Sequence, residues 1–344
     1  MSFSKTKREV IKHYILEQVD AGCKDVVKKT VNAFEMTPTS VYRYIKEMET
    51  DGILTKKGHK YSLTEINNSF LYRTGEVQDE MEILKRDLEP LFAECSENVQ
   101  RIWRYGLSEM INNVLDHSES QGFAILVRKT YMSTSVIIAD NGVGIFRKIK
   151  EYYTMPSLED AISELFKGKL TTDKLNHSGE GIFFTSNAMD VFAAISDGRI
   201  FTRNKFEEVS VDVQIPSLDS DNTSKKKGEG TIILLKLSNF SKKTIAKVMD
   251  RFSNDENGFY KTIIPIKNLF DDYPVSRSQA KRLVRRCESF REVVLDFEGV
   301  DDAGQGFMHE LFVVFGNSHP DIKLVPLHTN SKVQRMIQHV TNTV

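Results

Sequence analysis

With 344 residues, the chain has room for two or three domains, each with its own core. Hydrophobic residues make up 40% and charged residues 28%, a composition that excludes wholesale disorder. The formal net charge of -1 excludes a uniformly basic nucleic-acid binder but leaves room for a local basic patch. Cys23, Cys95 and Cys287 stand far apart in no metal-ligand spacing, so a reducing, cytoplasmic compartment is expected. The first residues lack an apolar run behind their charges, unlike a signal peptide. Nowhere do the ~18 apolar residues of a membrane span occur together, so no membrane partner is expected.

Residues 1–65 read as three short helices and a hairpin. Val10, Tyr14 and Leu16 open the first helix, and Val26, Val27, Val31 and Phe34 mark the second. Thr37-Pro38 starts the third, with a capping hydroxyl followed by proline at the first helical position. Val41, Ile45 and Met48 share one face of it, and Thr39, Arg43 and Lys46 lie on the opposite face. Residues 53–63 then alternate about a turn and carry Lys56, Lys57 and Lys60.

Residues 66–97 are charge-rich and predict a helical connection. Residues 98–240 mix a long helix with strand candidates at 122–129, 135–140, 191–196, 209–215 and 231–237, and with a polar loop at 225–230. From 255 to 344, strands at 261–266, 293–297 and 322–327 alternate with helices near 279–290 and 305–315, which predicts a small α/β unit.

Three segments between residues 109 and 186 carry the chemistry. In Glu109-Met110-Ile111-Asn112-Asn113, with His117 close behind, Glu109 and Asn113 sit one helical turn apart and project into the same space. A carboxylate that can take a proton from water beside an amide oxygen suits a hydrolytic magnesium site, although the same face would serve as a solvated helix surface. Asp140-Asn141-Gly142-Val143-Gly144 ends a buried strand in an acid. Asn-Gly alone signals a hairpin turn, whereas the second glycine leaves bare backbone for a flat heterocycle. Ser178-Gly179-Glu180-Gly181-Ile182 is a glycine turn opening a helix, either an ordinary lead-in or a cradle for phosphate. No Gly-x-x-x-x-Gly-Lys-Ser/Thr occurs, which excludes a P-loop.

In this order the segments resemble the boxes of the ATP-binding superfamily of gyrase, heat-shock chaperones, histidine kinases and MutL (GHKL). The 108–117 stretch is especially similar to that of anti-sigma-factor serine kinases. The resemblance implies ATP and Mg2+ as ligands, with Glu109 as general base and Asn113 as metal ligand. Asp140 would read the adenine amine, Gly142 and Gly144 would make room for the base, and Gly179 and Gly181 would admit the phosphates. Thr231, after Gly230, is similar to the threonine of the last box. Residues 146–177 fall where the family keeps its ATP lid, and Lys167, Lys169, Lys174 and His177 are the cations there that would reach phosphate; a solvated loop is the simpler reading for each lysine.

The flanks extend the resemblance to an α+β, multidomain chain. It would consist of a winged helix at 1–65, a connection at 66–97, a Bergerat-type α/β sandwich ATPase domain at 98–240 and a small α/β STAS-like domain at 255–344. In the first, Thr39, Arg43 and Lys46 would face a DNA groove and Lys56, Lys57 and Lys60 its phosphates. Twelve Lys/Arg against nine Asp/Glu over residues 1–65 also suit a protein-interaction module. The STAS-like resemblance rests on 293–300 and Gly304-Gln305-Gly306-Phe307. It implies a protein partner but no phosphorylation switch, because no hydroxyl lies between Val300 and Phe307. Ser276 caps a basic helix reaching Arg285 and Arg286, which reads as a solvated face or as a site for an anion or nucleic acid. Family members often dimerise, so a homodimer is compatible. The function implied is an ATP-responsive regulator of DNA or partner binding. The alternatives are a serine/threonine kinase acting in trans and a DNA-processing or defence ATPase.

Overall fold

The computed structural model describes residues 4–170, 179–203, 230–256, 258–270 and 273–342. The strand expected at 209–215, most of the 225–230 loop, and Lys174, His177 and Ser178 lie outside the described residues.

Helices α1 (Lys5–Asp20), α2 (Val26–Phe34) and α3 (Pro38–Thr50) precede a hairpin of β1 (Leu54–Lys57) and β2 (Lys60–Leu63). The Thr37 hydroxyl accepts from the Ser40 N–H at 3.3 Å, so α3 starts where its cap and proline direct. Its buried face is Val41, Tyr44, Ile45 and Met48. The face of α1 differs from expectation: Ile11, Ile15, Leu16 and Val19 are buried and Val10 is 54% exposed. The stripe beginning at Ile11 keeps helical spacing over more turns than one beginning at Val10, so it takes the core side.

The central unit is a six-stranded antiparallel sheet in the order β3-β4-β5-β8-β6-β7. Its strands are β3 (Ile66–Arg73), β4 (Gly122–Lys129), β5 (Ser133–Asp140), β6 (Val191–Ser196), β7 (Arg199–Thr202) and β8 (Ile232–Ser238). The helical connection expected at 66–97 is therefore corrected, because its first eight residues form β3 and pair with β4 along their whole length. Phe70 and Tyr72 carry the inward alternation, which the intervening Asn67, Asn68 and Ser69 obscure in the sequence. Beyond β3, α4 (Glu80–Ile83), the π-helical turn Leu84–Leu88 and α5 (Glu89–Phe92) bury Ile83, Leu84, Leu88 and Phe92 in one core with Trp103.

Across one face of the sheet lie α6 (Glu97–His117), α7 (Ile145–Tyr152), α8 (Leu158–Lys167) and α9 (Gly181–Ala188). Trp103, Leu107, Met110, Ile111 and Val114 of α6 pack on Phe123, Ile125 and Val127 of β4 and on Val136 and Ile138 of β5. This burial places the Glu109 and Asn113 face of α6 away from the sheet core, which leaves those polar groups available to a site.

After α10 (Ile245–Asp250) and a short β9 (Ser253–Asn254)–β10 (Gly258–Phe259) pair comes a C-terminal unit. Its strands β11 (Lys261–Pro265), β12 (Glu292–Asp296) and β13 (Lys323–Leu327) form a parallel sheet in chain order. The connecting helices are α11 (Arg277–Val284), then α12 (Gln305–His309) running through 310–315 into α13 (Gly316–Ser318); α14 (Ser331–Asn342) closes the chain. Ser276 and Gln279 form a capping box at α11. That helix stops short of the expected 290 because the chain turns extended at Arg285, with ψ 132°, and then left-handed at Arg286, with φ 61°. The chain is thus mixed helix and sheet, and no described helix is long and apolar enough to cross a membrane.

Candidate functional site

A cavity of about 250 Å³ opens where β5 and β8 meet α6, α7 and the start of α9. Glu109, Asn113, Asp140, Gly144, Gly179, Gly181 and Thr231 all line it, although they come from four separate stretches of chain. Gly142 does not line it: a Cβ there would lie 2.0 Å from the Ser118 carbonyl oxygen, so this glycine serves the contact with the end of α6. Gly144, with φ 84°, likewise presses on the turn between β6 and β7, 2.7 Å from the Ser196 hydroxyl at its would-be Cβ. Protein packing alone therefore requires glycine at both positions.

Glu109 meets the backbone of α9 at its first residue. A Cβ on Gly181 would lie 2.0 Å from a Glu109 carboxylate oxygen, so only glycine lets that helix start against the acid. One turn along, Asn113 Nδ2 is buried and has no hydrogen-bond partner among the described residues. An orphaned amide facing a cavity is costly unless a ligand completes it, and rotating the amide would offer its oxygen instead.

Asp140 is a perturbed acid of the cavity. Burial pushes its carboxyl up from 3.8 to about 6, and the backbone N–H groups of Gly142 and Thr231 only partly oppose this. The Gly142 N–H donates to Oδ1 at 2.8 Å. The Thr231 hydroxyl accepts from the Ile145 N–H at 3.1 Å, tying β8 to the start of α7. A half-desolvated acceptor at the end of a strand is arranged to recognise a donor such as an exocyclic amine.

Of the lysines expected to reach phosphate, Lys167 and Lys169 turn elsewhere. Lys167 is 1% exposed, and its ammonium donates to Glu164 at 2.6 Å and to the Arg285 carbonyl at 2.5 Å. Lys169 donates to the Ser289 carbonyl at 2.9 Å and lies 4.7 Å from the Phe290 ring centre. Both are thus drawn to the C-terminal unit, and neither is a solvated loop residue. Among the described residues, the lysine that lines the cavity is Lys148 of α7, which donates to the His117 carbonyl at 2.7 Å and to Glu119 at 3.1 Å. Its place four residues after Gly144, one turn into the new helix, is the only signal the sequence offers for it.

On the N-terminal unit, Thr39, Arg43, Lys46, Lys56, Lys57 and Lys60 are all exposed. Arg43 and Lys56 rest on the Tyr44 and Tyr61 rings at 5.3 and 5.2 Å. Arg285 and Arg286, read as part of a solvated basic helix, instead face Asp160 and Glu164 of α8 at 3.8 Å each.

The C-terminal β-α-β-α-β unit also answers to a known family: residues 279–334 match a family described as a STAS-like domain of unknown function (DUF4325). The C-terminal unit is a STAS-like domain. No curated protein matches the chain. Within this domain the start of α12 is covered from inside, since the Gly304 and Phe307 N–H groups donate to the carbonyls of Pro274 and Val275 at 2.7 and 3.2 Å. The missing hydroxyl between Val300 and Phe307 thus coincides with a helix start at which the Gly304 and Phe307 N–H groups are already engaged.

Proposed function

We propose that the chain is a nucleotide-responsive regulator: ATP with Mg2+ occupies the cavity of the central unit, and its state is passed to the flanking units. The observation that carries this reading is the convergence of Glu109, Asn113, Asp140, Gly179, Gly181 and Thr231 on one cavity. They arrive in the order that the GHKL resemblance requires, on a six-stranded sheet covered by helices in the manner of a Bergerat-type sandwich. The orphaned Asn113 amide fits a ligand that includes a cation, because its oxygen, once turned inward, is a hard donor suited to magnesium. Bound there, ATP-magnesium would supply a phosphoryl group open to attack by water. Glu109 would orient that water and accept its proton, Asp140 would accept from the base, and the Gly179–Gly181 backbone would face the phosphates.

The routes out of the cavity support a regulatory role. Strands β5 and β8 run from Asp140 and Thr231 to a far end about 23 Å away, at ~3.3 Å per residue. There the turn after β4 inserts Met132 into the core of the N-terminal unit. His13 of α1 packs edge-on against Phe240 at 4.8 Å, and Tyr131 lies against the same ring at 5.4 Å. A change at the cavity therefore has a stiff connection to the module whose exposed Arg43 and Lys46 face would meet DNA.

The test is a titration of the full chain with a fluorescent ATP analogue, with and without magnesium. It is followed by phosphate release with and without duplex DNA and by transfer of label to protein hydroxyls. Saturable, magnesium-dependent binding that alters DNA affinity is expected. DNA-stimulated turnover would favour a processing ATPase, labelled protein hydroxyls would favour a kinase, and absence of nucleotide binding would remove the reading.

A further inference from the structure

The rim of the cavity is made partly by the STAS-like domain's own grip. Leu165, Gly168 and Leu170 line the cavity, and they belong to the stretch 158–170 that runs between the central and C-terminal units. Two consecutive residues at its end are stitched to opposite sides. Phe166 packs in the central core against Phe201 at 4.6 Å, and its carbonyl accepts from Arg203 at 2.8 Å. Lys167 points the other way, into the STAS-like domain. Its ammonium reaches the Arg285 carbonyl at 2.5 Å and the Arg282 carbonyl at 3.4 Å, the exposed acceptors at the end of α11, where a cation is favoured. The Lys167 carbonyl in turn accepts from the Thr262 hydroxyl of β11 at 2.8 Å.

The next residues continue the pattern. Gly168, with φ 81°, slides under Phe259, whose ring would be 2.7 Å from a Cβ. Lys169 lies over Phe259 and Phe290, and its carbonyl accepts from Arg286 at 3.1 Å. From the far side of the cavity, α9 contributes Phe183 and Phe184 to the STAS-like core, and Phe183 also lines the cavity. The cavity and the STAS-like domain therefore share a wall.

The grip is built to let go. Asp160 and Glu164 are 4% and 3% exposed, yet their pairs with Arg285 and Arg286 are 3.8 Å long. Arg286 Nη1 is buried with no hydrogen-bond partner among the described residues. A charge network that is only partly satisfied contributes little net stability, while removing one tight member leaves a buried charge behind. Lys167 is that tight member.

We propose that residues 158–170 act as a strap through which the STAS-like domain holds the cavity rim, with Lys167 as its latch, so that exchange of the cavity's ligand requires the STAS-like domain to loosen. Nucleotide as that ligand rests on the function proposed above. By linkage, whatever binds the STAS-like domain and pulls on α11 alters the cavity's affinity for its ligand, and the ligand alters the affinity for that partner by the same factor.

The test uses the full chain as wild type, Lys167→Met and the milder Arg286→Gln, with two readouts. The first is hydrogen exchange of residues 158–170 and 277–290 without nucleotide. In Lys167→Met, and to a smaller degree in Arg286→Gln, both segments are expected to gain exchange together while the α3 segment is unchanged. The second is the dissociation rate of a fluorescent ADP analogue, expected to rise in the same order, by about tenfold for each ~1.4 kcal/mol that the latch contributes to the barrier to release. Faster exchange in one segment only, or equal dissociation rates from variants that bind nucleotide, would overturn the strap. If wild type binds no nucleotide, the reading of the cavity falls, while the exchange experiment still decides the strap. Should Lys167→Met fail to fold, Arg286→Gln carries both measurements.

Discussion

Replacing Asp140 by asparagine tests the cavity through stability before any ligand is added. Burial raises the carboxyl of the folded chain from 3.8 to about 6, so the folded state holds this proton more tightly than the unfolded state does. The contribution of Asp140 to stability is therefore most favourable below pH 3.8. It declines as pH rises through the window up to about 6 and is constant above it. A displacement of that size corresponds to about 3 kcal/mol against the folded state at neutral pH, as an upper value. Asparagine is neutral throughout, and its oxygen can still accept from the Gly142 N–H that now donates to Oδ1 at 2.8 Å. Asp140→Asn is accordingly expected to be about 1–3 kcal/mol more stable than wild type at pH 7.5, with the gap closing towards pH 4. Urea unfolding between pH 4 and 8 would measure this, read by the fluorescence of Trp103, the single tryptophan and wholly buried in the central core. The same variant is expected to bind the ATP analogue roughly ten- to a hundredfold more weakly, the scale of a lost hydrogen bond to a charged group. A variant that is less stable than wild type by the same amount at every pH would refute the argument, since burial of the charge would then not be what perturbs Asp140.

Glu109→Ala is expected to keep nucleotide binding and to lose phosphate release, measured by a coupled phosphate assay; retained turnover would remove Glu109 from the role of base. Gly181→Ala places a methyl group 2.0 Å from the Glu109 carboxylate and should cost about 1–3 kcal/mol by overpacking, seen as a lower urea midpoint together with weakened analogue binding. Arg43→Ala with Lys46→Ala is expected to lower affinity for DNA of any sequence and to flatten its dependence on salt, measured by fluorescence anisotropy at several salt concentrations.

Much of the local structure was legible because it depends on short-range chemistry. The Thr37-Pro38 start of α3, the core face of α6 and the cap at Ser276 follow from periodicity and capping alone, and the structure places each as expected. The central strands at 122–129 and 191–196 match in full, since each is a β-rich run bounded by polar turns. The edge strand β3 was not legible. An edge strand is half solvated, so Asn67, Asn68 and Ser69 are tolerated there and blur the alternation of Phe70 and Tyr72.

For the candidate site, the sequence by itself determined which residue types stand at which spacing: an acid and an amide one turn apart, an acid ending a buried strand, and glycines before a helix. Only the tertiary structure decided that these come together around one cavity, that Gly142 serves packing behind it, and that Lys148 lies within it. It also decided the fate of the lysines near the rim. A lysine in a polar stretch looks the same in sequence whether it meets water, phosphate or a carbonyl. Lys167 is buried between two units because its partners, the carbonyls at the end of α11, lie more than a hundred residues away, and no local pattern encodes a contact at that distance.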